Sequence, residues 1–413
     1  MAKLAINGGQ PVRTQAFPAW PMWDQREIDA VTGVIKSGCW GLGSGHMVKD
    51  FQREFAEFIG VRRAVAITNG SNAIEVALTA LDIGPGDEVI VPDYTFMSTG
   101  TEVLRVGAVP IFVDVDERTF CIDPTKIEAV IGSRTRAIIP VHFAGHPADM
   151  DALKKIADKY HLKWVEDCSH AHGALWQNRK VGSFADIATF SMQASKTMTG
   201  GEGGIVVTDD ETLADECMSV VNCGRRKGRG NYEHFRLASN FRMSELIAAV
   251  LRVQLTRLPE LLKIRNRNAR LLDAKLNSIP GITTGKPDPR MQAQGLYVYP
   301  FLYDSAKFAG VSRELFMNAL RAEGIPVEVS YPAMHELEVF RKYQFIPKGR
   351  REAEACYADH PQKNPDNFPV ASRLARQMIW IPNGSLIADA DAMADIAAAI
   401  EKIHANCAEL AGR

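Results

Sequence analysis

The chain has no CxxC pair, no apolar run approaching the roughly 20 residues needed to span a bilayer, and no overall excess of charge of one sign. Each absence removes a class. Its seven cysteines (39, 121, 168, 217, 223, 356 and 407) are odd in number and scattered. They read as reduced thiols of a cytoplasmic protein rather than a disulfide framework. The 48 basic and 49 acidic residues leave a net charge of −1, with neither a basic stripe for nucleic acid nor an acidic solvating tail. Met1 to Gly9 lack the charged, apolar, small-residue order of a secretion signal. There is no repeat and no low-complexity tract, and neither a membrane nor a nucleic acid is expected as partner.

What is present is an ordinary globular composition, 46% hydrophobic and 23% charged over 413 residues. That length suits two domains. Between about 60 and 210, short apolar runs alternate with amphipathic stretches. Ala64–Ile67, Glu88–Pro92, Val109–Asp114, Thr135–Val141, Leu162–Glu166 and Ile205–Thr208 read as strands. Helices are expected over Ala73–Leu81 and from near Ser98. Such alternation predicts an α/β domain whose largely parallel sheet is covered on both faces. Residues 242–275 read as mostly helical and lead to a smaller α+β region. That region has strand-like segments at 295–303 and 325–329, a helix at 313–323 and a closing helix at 388–405. The stretch from Arg341 to Asn367 is polar, proline-bearing and irregular.

Three segments carry candidate chemistry. Asn69-Gly70-Ser71-Asn72 stands between a strand and a helix, where free N–H groups, a hydroxyl and the helix dipole suit an anion; the same residues serve equally as a turn and N-cap. Glu166-Asp167 ends a strand, at the edge where open α/β sheets bind ligands, although a solvated strand end or helix cap explains it too. Lys196 lies about 29 residues further on, in Phe-Ser-Met-Gln-Ala-Ser-Lys-Thr-Met-Thr-Gly-Gly-Glu-Gly-Gly (190–204). Glycines there let the backbone pass close to a flat ligand. Ala-Ser-Lys-Thr lacks the glycine of a nucleotide-binding phosphate loop. An amine nucleophile on a polar turn together with a carboxylate at a strand end is what pyridoxal phosphate chemistry needs. The amine condenses with the aldehyde, and the carboxylate keeps the ring nitrogen protonated. His170 and His172 resemble a metal pair, but no spacing completes a ligand set, so no metal is expected.

Together these residues resemble the DegT/DnrJ/StrS aminotransferases of the fold-type I pyridoxal phosphate superfamily. The resemblance runs in order through Ser37–Gly43, Asn69–Ala73, Pro92–Phe96, Val141–Gly145, Glu166–Gly173, the lysine turn and Asn240–Glu245. It implies a mostly parallel seven-stranded sheet in a large domain (46–255), a small C-terminal α+β domain (256–413), and an N-terminal segment (1–45) packing near the active site. It also implies roles. Lys196 would form the internal aldimine and shuttle the proton, and Asp167 would pair with the ring nitrogen. Phe96 would stack on the ring, while Gly70, Ser71, Asn72 and Ser191 would hold the phosphate. His170 would approach the ring hydroxyl. Asn240 would reach the phosphate of a neighbouring subunit, which implies a homodimer with shared sites.

The lysine turn is similar to that of the branch aminating keto-cyclitols such as scyllo-inosose from L-glutamine, with L-glutamate as the other candidate donor. 3-Amino-5-hydroxybenzoate synthase has a similar turn, and nucleotide-sugar aminotransferases share the scaffold. Trp20, Trp23, Trp40, Tyr331 and His335 are candidates to line the acceptor pocket, with core packing as the other reading of each. Arg225-Arg226-Lys227-Gly228-Arg229 is either a diphosphate-binding cluster or a solvated loop.

Overall fold

The computed structural model describes residues 3–342 and 365–411. Apart from its two ends, the irregular stretch between Arg341 and Asn367 lies outside the described residues. Seven strands build the central sheet: β1 (Arg63–Ile67), β2 (Glu88–Pro92), β3 (Val109–Val113), β4 (Thr135–Ile138), β5 (Lys163–Asp167) and, beyond a short ribbon of β6 (Leu175–Trp176) and β7 (Arg179–Lys180), β8 (Ile187–Ser191) and β9 (Gly204–Thr208). Their order is β1-β9-β8-β5-β4-β2-β3. Only β9 runs against its neighbours, while the others are mutually parallel. Strands β2, β3, β8 and β9 are buried at every position, and β2, β3 and β9 accordingly read as largely apolar runs rather than alternating ones.

Six of these strands are legible in the sequence, and β8 is the seventh. Its Ile-Ala-Thr-Phe-Ser holds two polar residues and merges into the lysine turn, so periodicity alone does not separate it from a loop. Parallel pairing brings the carboxyl ends of β1, β2, β5 and β8 to one edge. Helices α1 (Gln25–Ser37) and α2 (Met47–Ile59) precede the sheet, and from its carboxyl edge the chain enters α3 (Gly70–Ala80) after β1 and α4 (Ser98–Arg105) after β2. Helices α5 (Met150–Tyr160) and α6 (Glu211–Val221) complete the cover.

A 32-residue helix, α7 (Glu245–Leu276), crosses both halves of the chain, capped by the Ser244 side chain. Its Leu251, Leu255 and Leu258 pack with β8, β9 and α2, whereas Leu272 and Leu276 enter a separate C-terminal core. That core lies under an antiparallel four-stranded sheet. Its strands are β10 (Ile282–Thr284), β12 (Val298–Tyr303), β13 (Glu328–Val329) and β14 (Met378–Pro382), with β11 (Met291–Ala293) joining the β6–β7 ribbon instead. Helices α8 (Arg313–Ala322), α9 (Glu338–Lys342), α10 (Pro369–Gln377) and α11 (Ala390–Ala405) complete this part. The N-terminal segment packs on it through the Arg13–Asp395 ion pair at 2.8 Å. It reaches the lysine turn through Trp20, whose Nε1 donates to the Ala194 carbonyl at 3.1 Å. The six described cysteines are free. No described helix is long and apolar enough to cross a membrane.

Candidate active site

Lys196 and Asp167 line one cleft of about 650 Å³ at the carboxyl edge of the sheet, together with Gly70, Ser71, Asn72, Phe96, His170 and Ser191. That volume suits a cofactor-sized ligand. Lys196 follows β8 in a closed turn: Met192 donates its N–H to Gly203 O at 2.8 Å, and the Met192 carbonyl accepts from Gly200 N at 3.1 Å. Gly200 and Gly204 serve this closure and its packing. A Cβ at Gly204 would lie 2.3 Å from Asn69 O, and one at Gly200 would meet Ile247 and Leu251 at 3.0 Å.

Lys196 is 8% exposed, and its Nζ stands 3.9 Å from the Tyr297 ring centroid. Among the described residues Nζ has no ion-pair partner. Burial disfavours the ammonium and, against the opposing charge of Asp167, brings the lysine down to about 7. Asp167 ends β5 and is 4% exposed. Its Oδ2 accepts from Thr99 Oγ1 and its Oδ1 from Ser169 N, each at 3.1 Å. Neighbouring Glu166 points to the other face of the strand. There its carboxylate accepts from the N–H groups of Gly182, Phe184 and Ala185 and meets His142 Nε2 at 3.1 Å. With Cys168, whose thiol burial pushes well up, these groups lie close together. The hydrogen bonds already made by Glu166 account for it as a structural anion.

The α3 terminus meets β8 directly. A Cβ on Gly70 would sit 2.6 Å from Ser191 Cβ, so only glycine lets helix and strand approach this closely. Ser71 Oγ bonds Ser98 Oγ at 2.7 Å. The Asn72 N–H is spent on the cap, donating to Asn69 Oδ1 at 2.8 Å. Among the described residues the N–H groups of Gly70 and Ser71 have no protein acceptor. The anion-binding potential of this terminus therefore rests on Gly70 and Ser71 rather than on the Asn72 amide.

His170 is buried and, through burial first and the Lys196 charge second, held well below the ordinary histidine value. Its Nδ1 accepts from Ala144 N at 3.3 Å. The neutral ring therefore carries its proton on Nε2, 3.5 Å from Tyr331 Oη. Tyr297 stacks on the other side of this ring at 4.3 Å. Phe96 is half exposed beside Tyr331, with centroids 5.6 Å apart. Asn240 is exposed and is not among the residues lining the cleft of its own chain.

Of the aromatic candidates, Tyr331 lines the cleft and Trp20 an adjoining chamber. Trp23 and Trp40 are 68% and 54% exposed and line neither. His335 lines neither because it is spent on Asp93, with Nδ1 2.5 Å from Oδ2. In the 225–229 loop, Arg225 bonds Asn231 O and Arg226 pairs with Glu216, and no residue of the loop lines the cleft of its own chain. Tyr297, Thr99 and Gln193 are site residues that the sequence reading missed. Each is an ordinary residue of a helix or loop, and only the tertiary contacts to Lys196, Asp167 or the cleft mark it.

The fold recurs in known proteins. Residues 21–359 match the DegT/DnrJ/EryC1/StrS aminotransferase family. The chain belongs to that family. Over 424 residues it is 36% identical to L-glutamine:2-deoxy-scyllo-inosose aminotransferase of Streptoalloteichus tenebrarius, a match covering 98% of this chain and 99% of the relative. Its structure superposes on 3-amino-5-hydroxybenzoic acid synthase with a TM-score of 0.86 at 34% identity, covering 95% of this chain and all of the other. DesI, solved in the presence of its TDP-sugar product, gives a TM-score of 0.80 at 29% identity, with 98% and 96% covered. The DegT/DnrJ/EryC1/StrS proteins are pyridoxal phosphate-dependent aminotransferases, and the chain is a transaminase of fold type I. The residues fit that cofactor. An unpaired buried amine, a buried carboxylate held by two donors, and two unspent N–H groups flanked by the Ser71 and Ser191 hydroxyls line a single cleft.

Proposed function

We propose that the chain transfers an amino group from L-glutamine, or L-glutamate, to a keto-cyclitol such as scyllo-inosose, using pyridoxal phosphate in a cytoplasmic homodimer. The observation that carries this is Lys196 and Asp167 in one cleft beside the α3 terminus, in a chain aligned end to end with a glutamine-dependent cyclitol aminotransferase. When bound, the cofactor supplies an electron-withdrawing ring to an attached amine.

The chain's own residues do the rest. Lys196 would hold the cofactor carbon and, when free, would take the proton from the donor's α-carbon at Nζ; burial, which brings the amine down to about 7 in the ligand-free protein, favours that role. Asp167, fixed by Thr99 and Ser169, keeps the proton on the ring nitrogen. Gly70, Ser71 and Ser191 bind the phosphate, and His170 donates from Nε2 toward the ring hydroxyl. Phe96 covers a ring face, and the partner's Asn240 closes the phosphate site. Both half-reactions use the same amine, so ping-pong kinetics are expected.

A nucleotide-sugar acceptor is the second reading, favoured by the likeness to DesI. Its diphosphate needs cations, and the 225–229 loop stands outside the cleft of its own chain. A 3-amino-5-hydroxybenzoate synthase-like activity is the third. Holoenzyme given L-glutamine and a panel of keto-cyclitols and keto-sugar nucleotides, with products identified by mass, tests the choice. Amination of the nucleotide sugars alone defeats it.

A further inference from the structure

Beyond the Tyr297 wall lies a second chamber of about 470 Å³ that shares Gln193, Ser195 and Tyr297 with the catalytic cleft. Because these residues flank Lys196 in sequence or touch it in space, the chamber is an extension of the cleft rather than a separate site.

Its construction is specific. The Trp20 indole is fixed at its edge, where Nε1 donates to Ala194 O at 3.1 Å. It is also fixed on a face, where the Arg265 guanidinium lies 4.8 Å from the ring. Arg265 is fully buried and is turned onto Asn383, reaching Oδ1 at 3.0 Å and the carbonyl oxygen at 3.4 Å. Asn383 in turn donates to the Ser195 carbonyl at 2.7 Å. Trp20 is thus held rigid by the elements that hold the lysine turn, and it presents an aromatic surface to the chamber. Aromatic surfaces held this way accept the C–H face of a saturated ring at little entropic cost.

Charge selects further. Among the described residues lining the chamber there is no lysine, arginine or histidine. Glu328, on edge strand β13, is the one acidic side chain there, and that side chain has no hydrogen-bond or ion-pair partner among the described residues. A diphosphate or a donor carboxylate would meet an unpaired like charge in this chamber. A ring carrying an ammonium group would find its counter-ion.

We infer that this chamber is the ring-binding subsite, with Trp20 as the stacking platform and Glu328 as the carboxylate that selects keto-cyclitols bearing an amino group. The inference rests on the keto-cyclitol reading and names its acceptor subclass. Two ring ketones test it: 2-deoxy-scyllo-inosose and 3-amino-2,3-dideoxy-scyllo-inosose, in which an amine replaces one hydroxyl. In holoenzyme, Glu328→Gln is expected to leave the L-glutamine half-reaction, followed by absorbance, unchanged. It should lower the ratio of kcat/KM for the amino ketone over the hydroxy ketone by about fivefold, the scale of a partly solvated ion pair. Trp20→Leu should raise KM for both ketones by about tenfold, with the glutamine half-reaction slowed by much less. An unchanged ratio in Glu328→Gln overturns the role of the carboxylate. A glutamine half-reaction slowed as much as ketone turnover in Trp20→Leu overturns the subsite. If the wild type is reduced by glutamine but aminates neither ketone, the keto-cyclitol reading itself falls, and the chamber assignment falls with it.

Discussion

Nζ of Lys196 lies 3.9 Å from the centre of the Tyr297 ring, so the amine that must act as nucleophile and base rests against an aromatic wall instead of a carboxylate. A direct ion pair would hold the ammonium charged. Burial without a pair does the reverse and leaves the amine at about 7 in the ligand-free protein. Only the neutral amine condenses with an aldehyde. Reloading of pyridoxal phosphate onto apoprotein, followed by the absorbance of the lysine-bound cofactor, should therefore speed up through pH 7 and level off above about 8. An inflection near 10 would mean that Lys196 is solvated like an ordinary lysine. Lys196→Ala should never develop that absorbance.

The Thr99 hydroxyl donates to Asp167 Oδ2 from the first turn of α4. A hydrogen bond to a charged acceptor is worth about 1.5–3 kcal/mol, and this one fixes the carboxylate that must face the ring nitrogen. Thr99→Val, nearly isosteric, is expected to lower kcat about tenfold while the folded protein keeps its cofactor. Asp167→Asn removes the charge itself and should cost at least about a hundredfold. Equal losses in the two variants would mean that Thr99 supports the helix rather than the carboxylate.

How much of this was legible beforehand follows from where the information lives. The Lys196 turn, Asp167 and the 69–72 turn are local patterns at strand ends, and they stand where the sequence placed them. Strand β8 escaped because its two polar residues are buried by tertiary context. The Asn72 amide looked free because the Asn69 cap competing for it depends on backbone geometry. Tyr297 approaches Lys196 from about a hundred residues away in sequence, and nothing in Leu-Tyr-Val-Tyr marks which tyrosine does so. His335, an aromatic-pocket candidate by composition, is taken by Asp93, whose burial at the end of β2 no local pattern announces.

That Asp93–His335 pair predicts a pH-dependent stability. Burial raises the Asp93 carboxyl to about 6. Asp93 raises His335 against burial's opposing effect, and Glu336 and Asp114 add to the rise. Both groups bind protons more tightly folded than unfolded. Their contribution is therefore present at low pH and lost as pH rises, first through about 6 for Asp93 and then through the raised value of His335. The gap in Tm between wild type and the double variant Asp93→Asn, His335→Gln should narrow between pH 5 and pH 8. A gap that widens over that range would contradict the pairing.

Gly70 has no room for a methyl group against Ser191. Gly70→Ala must push the α3 terminus off β8, an overpacking cost of about 1–3 kcal/mol. Because that displacement separates the Ser71 and Ser191 hydroxyls, pyridoxal phosphate affinity should fall about tenfold or more, measured by equilibrium titration of apoprotein. Gly201, which has open space around it but a left-handed φ of +86°, provides the contrast. Gly201→Ala should cost stability at the turn with a smaller effect on affinity.

The last expectation concerns Asn240. It is exposed, it bridges to Asn222, and it is not among the residues that line its own cleft. If it completes the phosphate site of a partner, Asn240→Ala damages the partner's site and Lys196→Ala damages its own. In a mixed dimer of the two variants, one site then carries both lesions and the other carries none. Equal amounts of the variants, dissociated and reassociated, give half heterodimers with one intact site in two. Activity should recover to about a quarter of wild type from near zero in Lys196→Ala alone. Recovery no greater than the average of the two separate variants would place Asn240 outside the shared site.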